Sequence, residues 1–74
     1  MEQAHGHQFR FLEVEEAERD PKRRVRRLAR GSYWLYGRSE AGTYIAILFR
    51  VWQQRRFGIT ARLMDDSERR FYSG

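Results

Sequence analysis

The stretch SYWLYGR (residues 32–38), SEAG (39–42), TYIAILFRVW (43–52), QQ (53–54), RRFGITAR (55–62) decides the fold. Its hydrophobic period is two, the period of a strand with one face buried. Residues 32–38, with Tyr33, Trp34, Leu35 and Tyr36, are aromatic and strongly β-prone. Residues 39–42 form a hairpin loop, and 43–52 form the longest strand. On that strand Ile45, Ile47, Phe49 and Val51 share a fully apolar face, whereas Tyr44, Ala46, Leu48, Arg50 and Trp52 share a mixed one. Gln53 and Gln54 make a tight turn. The chain returns with Phe57, Ile59 and Ala61 on one face and Arg56, Gly58, Thr60 and Arg62 on the other.

Upstream, residues 23–29 read as a basic strand suited to a sheet edge, where charge discourages unwanted pairing, and Arg30-Gly31 is the turn that follows. Residues 9–20 read as a helix whose apolar stripe is Phe11, Leu12, Val14 and Ala17, with glutamates on the other face. Pro21 closes it, because the residue before a proline is pushed out of the α region. Residues 1–8, with two His and one Gly, read as a loose leader. Downstream, Asp65 and Glu68 stand three apart, the spacing of a capping box, which opens a short helix at 66–72.

The expectation is a single α+β domain over residues 1–74. An N-terminal helix leads into a four-stranded antiparallel meander over 22–62, and a short C-terminal helix ends it. The N-terminal helix should cover the face bearing Ile45, Ile47, Phe49, Val51, Phe57 and Ile59. The opposite face should then present Arg50, Arg56 and Arg62 with Tyr44 and Trp52.

At 74 residues there is room for one small core, and the absence of cysteine removes both disulfides and thiolate metal sites as staples. No apolar run reaches the roughly 20 residues of a membrane span, and no basic-then-apolar signal pattern opens the chain. The expected compartment is the cytoplasm, with no membrane partner. The net charge of +5 is unevenly spread. Residues 1–20 hold six acids and two arginines; residues 21–74 hold thirteen bases and four acids, and all but Lys22 of those bases are arginine. A compositional bias towards arginine is the alternative explanation of the choice over lysine, and it explains the net basicity less well. Arginine grips phosphate with a planar fork and stacks on bases, so a polyanionic partner, RNA above all, is expected.

The chemistry narrows by residue type. His5 and His7 lack the companions of a metal site. There is no nucleophile elbow and no phosphate-cradling glycine loop, so neither a serine hydrolase nor nucleotide-dependent transfer is expected, and nothing calls for a cofactor. Metal-free RNA cleavage remains, in which the substrate's own 2′-hydroxyl attacks and the protein positions it, stabilises the phosphorane and moves protons. The C-terminal corner holds suitable types in Arg62, Glu68, Arg69 and Tyr72, with His5 a further acid or base if the leader folds back. Arg50, Arg56 and Arg70 would contact the RNA backbone, and Tyr44 and Trp52 would stack on bases. Each has a plainer role beside it. Glu68 completes a helix cap, Tyr72 packs on the sheet, Arg69 and Arg70 line a solvated helix face, and Tyr44 and Trp52 pack within the sheet.

These residues resemble a known family. Gly37-Arg38-Ser39-Glu40-Ala41-Gly42-Thr43-Tyr44 resembles the G-R-T-x-A-G-R-Y hairpin of BrnT-type toxins. Ile59-Thr60-Ala61-Arg62-Leu63-Met64, followed by Glu68-Arg69-Arg70 and Tyr72, resembles their I-x-A-R-x-M-x-x-x-E-R-R-x-Y ending. The spacing holds from about residue 30 to residue 72. The chain departs from the pattern in lacking the first helix of long members, in Leu63 where Asp is common, and in Thr43 where the hairpin has Arg. The resemblance implies a RelE-like fold and a ribonuclease toxin of a type II toxin–antitoxin pair. It implies neutralisation by a ribbon-helix-helix antitoxin of the BrnA type, through which alone operator DNA would be bound. Carried over by motif, Arg62, Glu68, Arg69 and Tyr72, with His5, are the implied catalytic positions. The alternative is a non-catalytic module that uses the same basic face on nucleic acid or an acidic protein. Assembly as a homo- or hetero-oligomer is open in both.

Overall fold

The computed structural model describes residues 9–74, so the leader expected over 1–8 lies outside the described residues. The order is α1 (Phe11–Glu18), β1 (Arg24–Arg27), β2 (Ser32–Arg38), β3 (Tyr44–Trp52), β4 (Arg55–Leu63) and α2 (Asp66–Ser73). The four strands form one antiparallel sheet in sequence order, the expected meander. Two turns are closed by left-handed residues. Arg30 and Gly31 have φ of 64° and 75°, and Gln53 and Gln54 have 51° and 66°. Two consecutive positive φ angles give the tight turn whose twist matches that of the flanking strands. No described helix is long and apolar enough to cross a membrane.

One helix lies on each face. Beneath α1, Ala17 closes on Leu35, Ile45, Ile47 and Phe49, with Phe9, Val14, Tyr33 and Ala61 around them. Beneath α2, Tyr36, Ala46 and Met64 form a smaller cluster, flanked by Trp34, Tyr44 and Tyr72. Gly37 sets the depth of the α1 contact. A Cβ built there would stand 2.1 Å from the Ala17 carbonyl oxygen, so only glycine lets the helix sit this close to β2.

Polar side chains complete the docking of α1. Glu13 Oε2 accepts from Thr43 Oγ1 at 2.8 Å and from the buried Ser39 Oγ at 3.1 Å. Glu16 Oε1 accepts from the Glu40 N–H at 3.1 Å. Two of the glutamates expected to face solvent therefore clamp the β2–β3 hairpin. The helix starts at Phe11 rather than Phe9, because Glu13 Oε1 accepts from the Arg10 N–H and fixes Arg10 as the cap. The expected stripe is corrected as well. Val14 and Ala17 face the core, joined by Phe9, whereas Phe11 and Leu12 are 75 % and 56 % exposed.

The second correction lies in β4. Leu48 pairs with Thr60 but Phe49 pairs with Gly58, so Ile59 is the extra residue of a bulge. A one-residue offset moves every later side chain to the other face. Phe57 therefore sits opposite Arg50, away from α1, and Arg56 sits opposite Val51 on the α1 side. Phe57, Ile59 and Val51, expected in the core, are all exposed. Gly58 takes the core-side place instead, 3.7 Å by its Cβ position from the Phe49 ring.

Candidate nucleic-acid interface

The register sorts the basic residues by face. On the α2 side, cross-strand rows run Arg24–Tyr36–Ala46–Arg62, then Arg26–Trp34–Leu48–Thr60, then Ser32–Arg50–Phe57, then Trp52–Arg55. The eight-residue α2 covers only the first rows. Arg26, Arg50, Trp52, Arg55 and Phe57 remain exposed on a continuous surface, with Trp34 and Leu48 half-buried between them. Arginines interleaved with aromatic rings on a pleated surface match the needs of a single strand, whose phosphates take charge and whose bases take π-faces.

At one end of this face lies the strand-to-helix corner read from sequence. Asp65 Oδ1 accepts from the Glu68 N–H at 2.8 Å, and Glu68 Oε1 accepts from the Asp65 N–H at 2.9 Å, completing the capping box. Arg62 donates to both Glu68 oxygens at 2.7 Å, and the Tyr36 hydroxyl donates to Oε2 at 3.4 Å. The Arg62 hydrogen bonds, aided by the Asp65 N–H and Tyr36, outweigh burial and hold the Glu68 carboxyl below its ordinary range. Glu68 is thus an ionised, fully engaged carboxylate. Arg62 also lies on Trp34, its Cζ 4.4 Å from the ring centroid.

Tyr72 and Arg69 stand across the same corner. The Tyr72 hydroxyl donates to Asp20 Oδ2, which also accepts from the Arg38 N–H at 2.8 Å, while Oδ1 accepts from the Lys22 N–H at 2.9 Å. Burial first, and then the Asp20 hydrogen bond, push the Tyr72 phenol up to about 12. Burial pulls Asp20 upward, but the bonds from Tyr72, Lys22 and Arg38 overcome it and leave this carboxyl low. Tyr72 meets Tyr44 edge-on at 5.8 Å, and the Arg69 guanidinium lies 4.2 Å above the Tyr44 ring. Arg38 stands over that ring too, at 5.7 Å. Beyond Tyr72 a cleft of about 380 Å³ opens, its wall carrying Glu16, Asp20 and Glu40 as well as Arg19, Lys22 and Arg38.

The structure therefore gathers Arg62, Glu68, Arg69 and Tyr72 around one corner, and His5 lies outside the described residues. Arg50 and Trp52 take the expected face, and Tyr44 forms the floor beside α2. Arg70 is exposed on α2, where its carbonyl accepts from the Gly74 N–H. Arg56 does not share this face. The bulge places it on the α1 side, where it pairs with Glu18 at 3.2 Å and lies 4.7 Å from the Phe49 ring. Sequence reasoning missed Asp20, Trp34, Tyr36 and Arg38. Trp34 and Tyr36 carried a signal, two rings two apart on one strand. Arg38 and Tyr44 carried another, as the closing pair of a hairpin. Asp20 carried none, since its partners are 18 and 52 residues away. Comparison with protein families, curated proteins and solved structures finds no match to this chain.

Proposed function

We propose that this chain is a toxin of the BrnT type, an RNA-cleaving protein with a RelE-like arrangement, held inactive by a ribbon-helix-helix antitoxin of the BrnA type. The observation that supports this most is the continuity of the α2 side. An open surface of Arg26, Arg50, Trp52 and Phe57 runs into the corner that holds Arg62, Glu68, Arg69 and Tyr72. A single strand lying on the surface would deliver its backbone to that corner.

In the proposed reaction the 2′-hydroxyl attacks the adjacent phosphorus and the P–O5′ bond breaks. The 2′-proton leaves to a base, and a proton reaches the departing 5′-oxygen. The products carry a 2′,3′-cyclic phosphate and a 5′-hydroxyl. Arg69 meets the charge of the phosphorane directly. Arg62 joins it only by leaving Glu68, and that exchange is also what frees a Glu68 oxygen to take the 2′-proton. The Tyr72 phenol, protonated up to about 12, is the acid.

A second reading rests on the same geometry. Four donors already occupy Glu68, the pattern of a structural carboxylate, and this favours a binding module without cleavage. Incubation with single-stranded RNA and with translating ribosomes separates the two. The toxin reading expects 2′,3′-cyclic phosphate ends, with cleavage falling by about a hundredfold or more in Arg69→Ala. Binding without cleavage in either setting leaves the module.

A further inference from the structure

Of the arginines around the corner, one is already engaged by a carboxylate. Arg62 spends both terminal nitrogens on Glu68 and one of them also on the Leu63 carbonyl. Two others are held differently. Arg69 and Arg38 come from α2 and from the end of β2, and both guanidiniums rest on the ring of Tyr44. Neither guanidinium has a carboxylate partner among the described residues, although the Arg38 N–H donates to Asp20. The Arg38 charge also reaches the Tyr72 phenol, where it opposes the upward pull of burial. Its side chain lies along Gly42, so the hairpin loop fixes its approach.

We infer that Arg38 and Arg69, mounted on Tyr44 and flanked by the Tyr72 hydroxyl, form the anion site that receives an RNA phosphodiester in the ground state. In that state Arg62 stays on Glu68 and leaves the phosphate to Arg38 and Arg69. The inference deepens the proposed function and rests on it only for the identity of the anion. Its physics is general. A guanidinium stacked on a ring keeps its in-plane N–H donors free, and two such forks from separate elements match the non-bridging oxygens of a phosphate. The cleft behind leaves room for the nucleotide beyond that phosphate, although Glu16, Asp20 and Glu40 on its wall offset Arg19, Lys22 and Arg38.

Two titrations test this with the whole chain. In the first, inorganic phosphate is added while the arginine Nε–Hε signals are followed by NMR. Saturable shifts confined to Arg38 and Arg69, with Arg62 still, support the site; uniform unsaturable shifts, or Arg62 moving first, overturn it. In the second, a single-stranded oligouridylate is bound at several salt concentrations. Arg38→Ala and Arg38→Gln should each weaken binding about tenfold and reduce the slope of log affinity against log salt by about 0.7, as Arg69→Ala should. Arg62→Ala should change the slope by much less. Tight RNA binding that Arg38→Ala leaves intact sinks the inference while the proposed function survives. Phosphate on Arg38 and Arg69 without any RNA binding does the reverse.

Discussion

Arg62 and Glu68 face each other through two parallel hydrogen bonds of 2.7 Å that span the joint between β4 and α2. The pair is asymmetric, since the Glu68 side chain is 9 % exposed and the Arg62 side chain 43 %. Removing Arg62 leaves a buried carboxylate short of its main partner, whereas removing Glu68 leaves a cation that water can solvate. Solvent at Arg62 brings the cost below that of a fully buried pair. Chemical denaturation should find Arg62→Ala destabilising by about 2 kcal/mol, more than Arg62→Ala does once Glu68→Gln is already present. Equal costs in both backgrounds would mean the pair is not coupled.

Gly37 tests the packing of α1. A methyl group there collides with backbone of Ala17, which no side-chain rotation relieves. Gly37→Ala should cost about 3 kcal/mol in denaturant unfolding, because α1 must lift from the sheet. A loss under 1 kcal/mol would show that α1 is docked more loosely than described.

The Gln53–Gln54 turn offers a gain in stability. Both residues hold positive φ, a region that favours asparagine and glycine. Gln53→Asn with Gln54→Gly should raise stability by about 1 kcal/mol, read as a higher thermal midpoint. A fall would argue that the glutamine side chains matter to the turn.

Acid should weaken the fold at identifiable carboxylates. The Thr43 hydrogen bond leads the lowering of Glu13, the Arg62 bonds lead that of Glu68, and the Tyr72, Lys22 and Arg38 bonds overcome burial at Asp20. A carboxyl lowered in the folded state binds protons more readily when unfolded. Its stabilisation is complete above the ordinary values of 4.5 for Glu and 3.8 for Asp and disappears as pH falls through the lower folded values. Tyr72 has the opposite sign. Its contribution is complete below 10 and disappears as pH rises towards about 12. Thermal midpoints should therefore hold near neutrality and drop at both ends. Asp20→Asn should bring the Tyr72 titration, followed by ultraviolet absorbance, back towards 10; an unmoved titration would leave Asp20 without the role given to it.

The sheet and α2 were legible because their signals are local. Alternation marks β2 and β3, and the Asp65–Glu68 spacing marks the helix start. The face of Arg56 was not legible, because strict alternation carries no sign of the bulge at Ile59, and one extra residue reversed Arg56 and Phe57. The glutamates of α1 misled for a related reason. Glu13 and Glu16 read as solvent-facing until the hairpin hydroxyls and N–H groups are in place to receive them. In the site, residue types identified Arg62, Glu68, Arg69 and Tyr72. Only the fold shows that Glu68 already holds Arg62, or that Asp20 holds Tyr72.

In the proposed function it is the α2 side of the sheet, not basic charge in general, that takes up single-stranded RNA. Arg50 and Arg56 are both exposed and lie on opposite faces, Arg56 with the Glu18 ion pair beside it. The decisive measurement is the affinity of the chain for a single-stranded oligouridylate, compared among Arg50→Ala, Trp52→Ala and Arg56→Ala. Arg50→Ala and Trp52→Ala should each weaken binding about five- to tenfold, with Arg56→Ala within twofold of the parent. Equal losses at Arg50 and Arg56 would contradict that placement of the RNA.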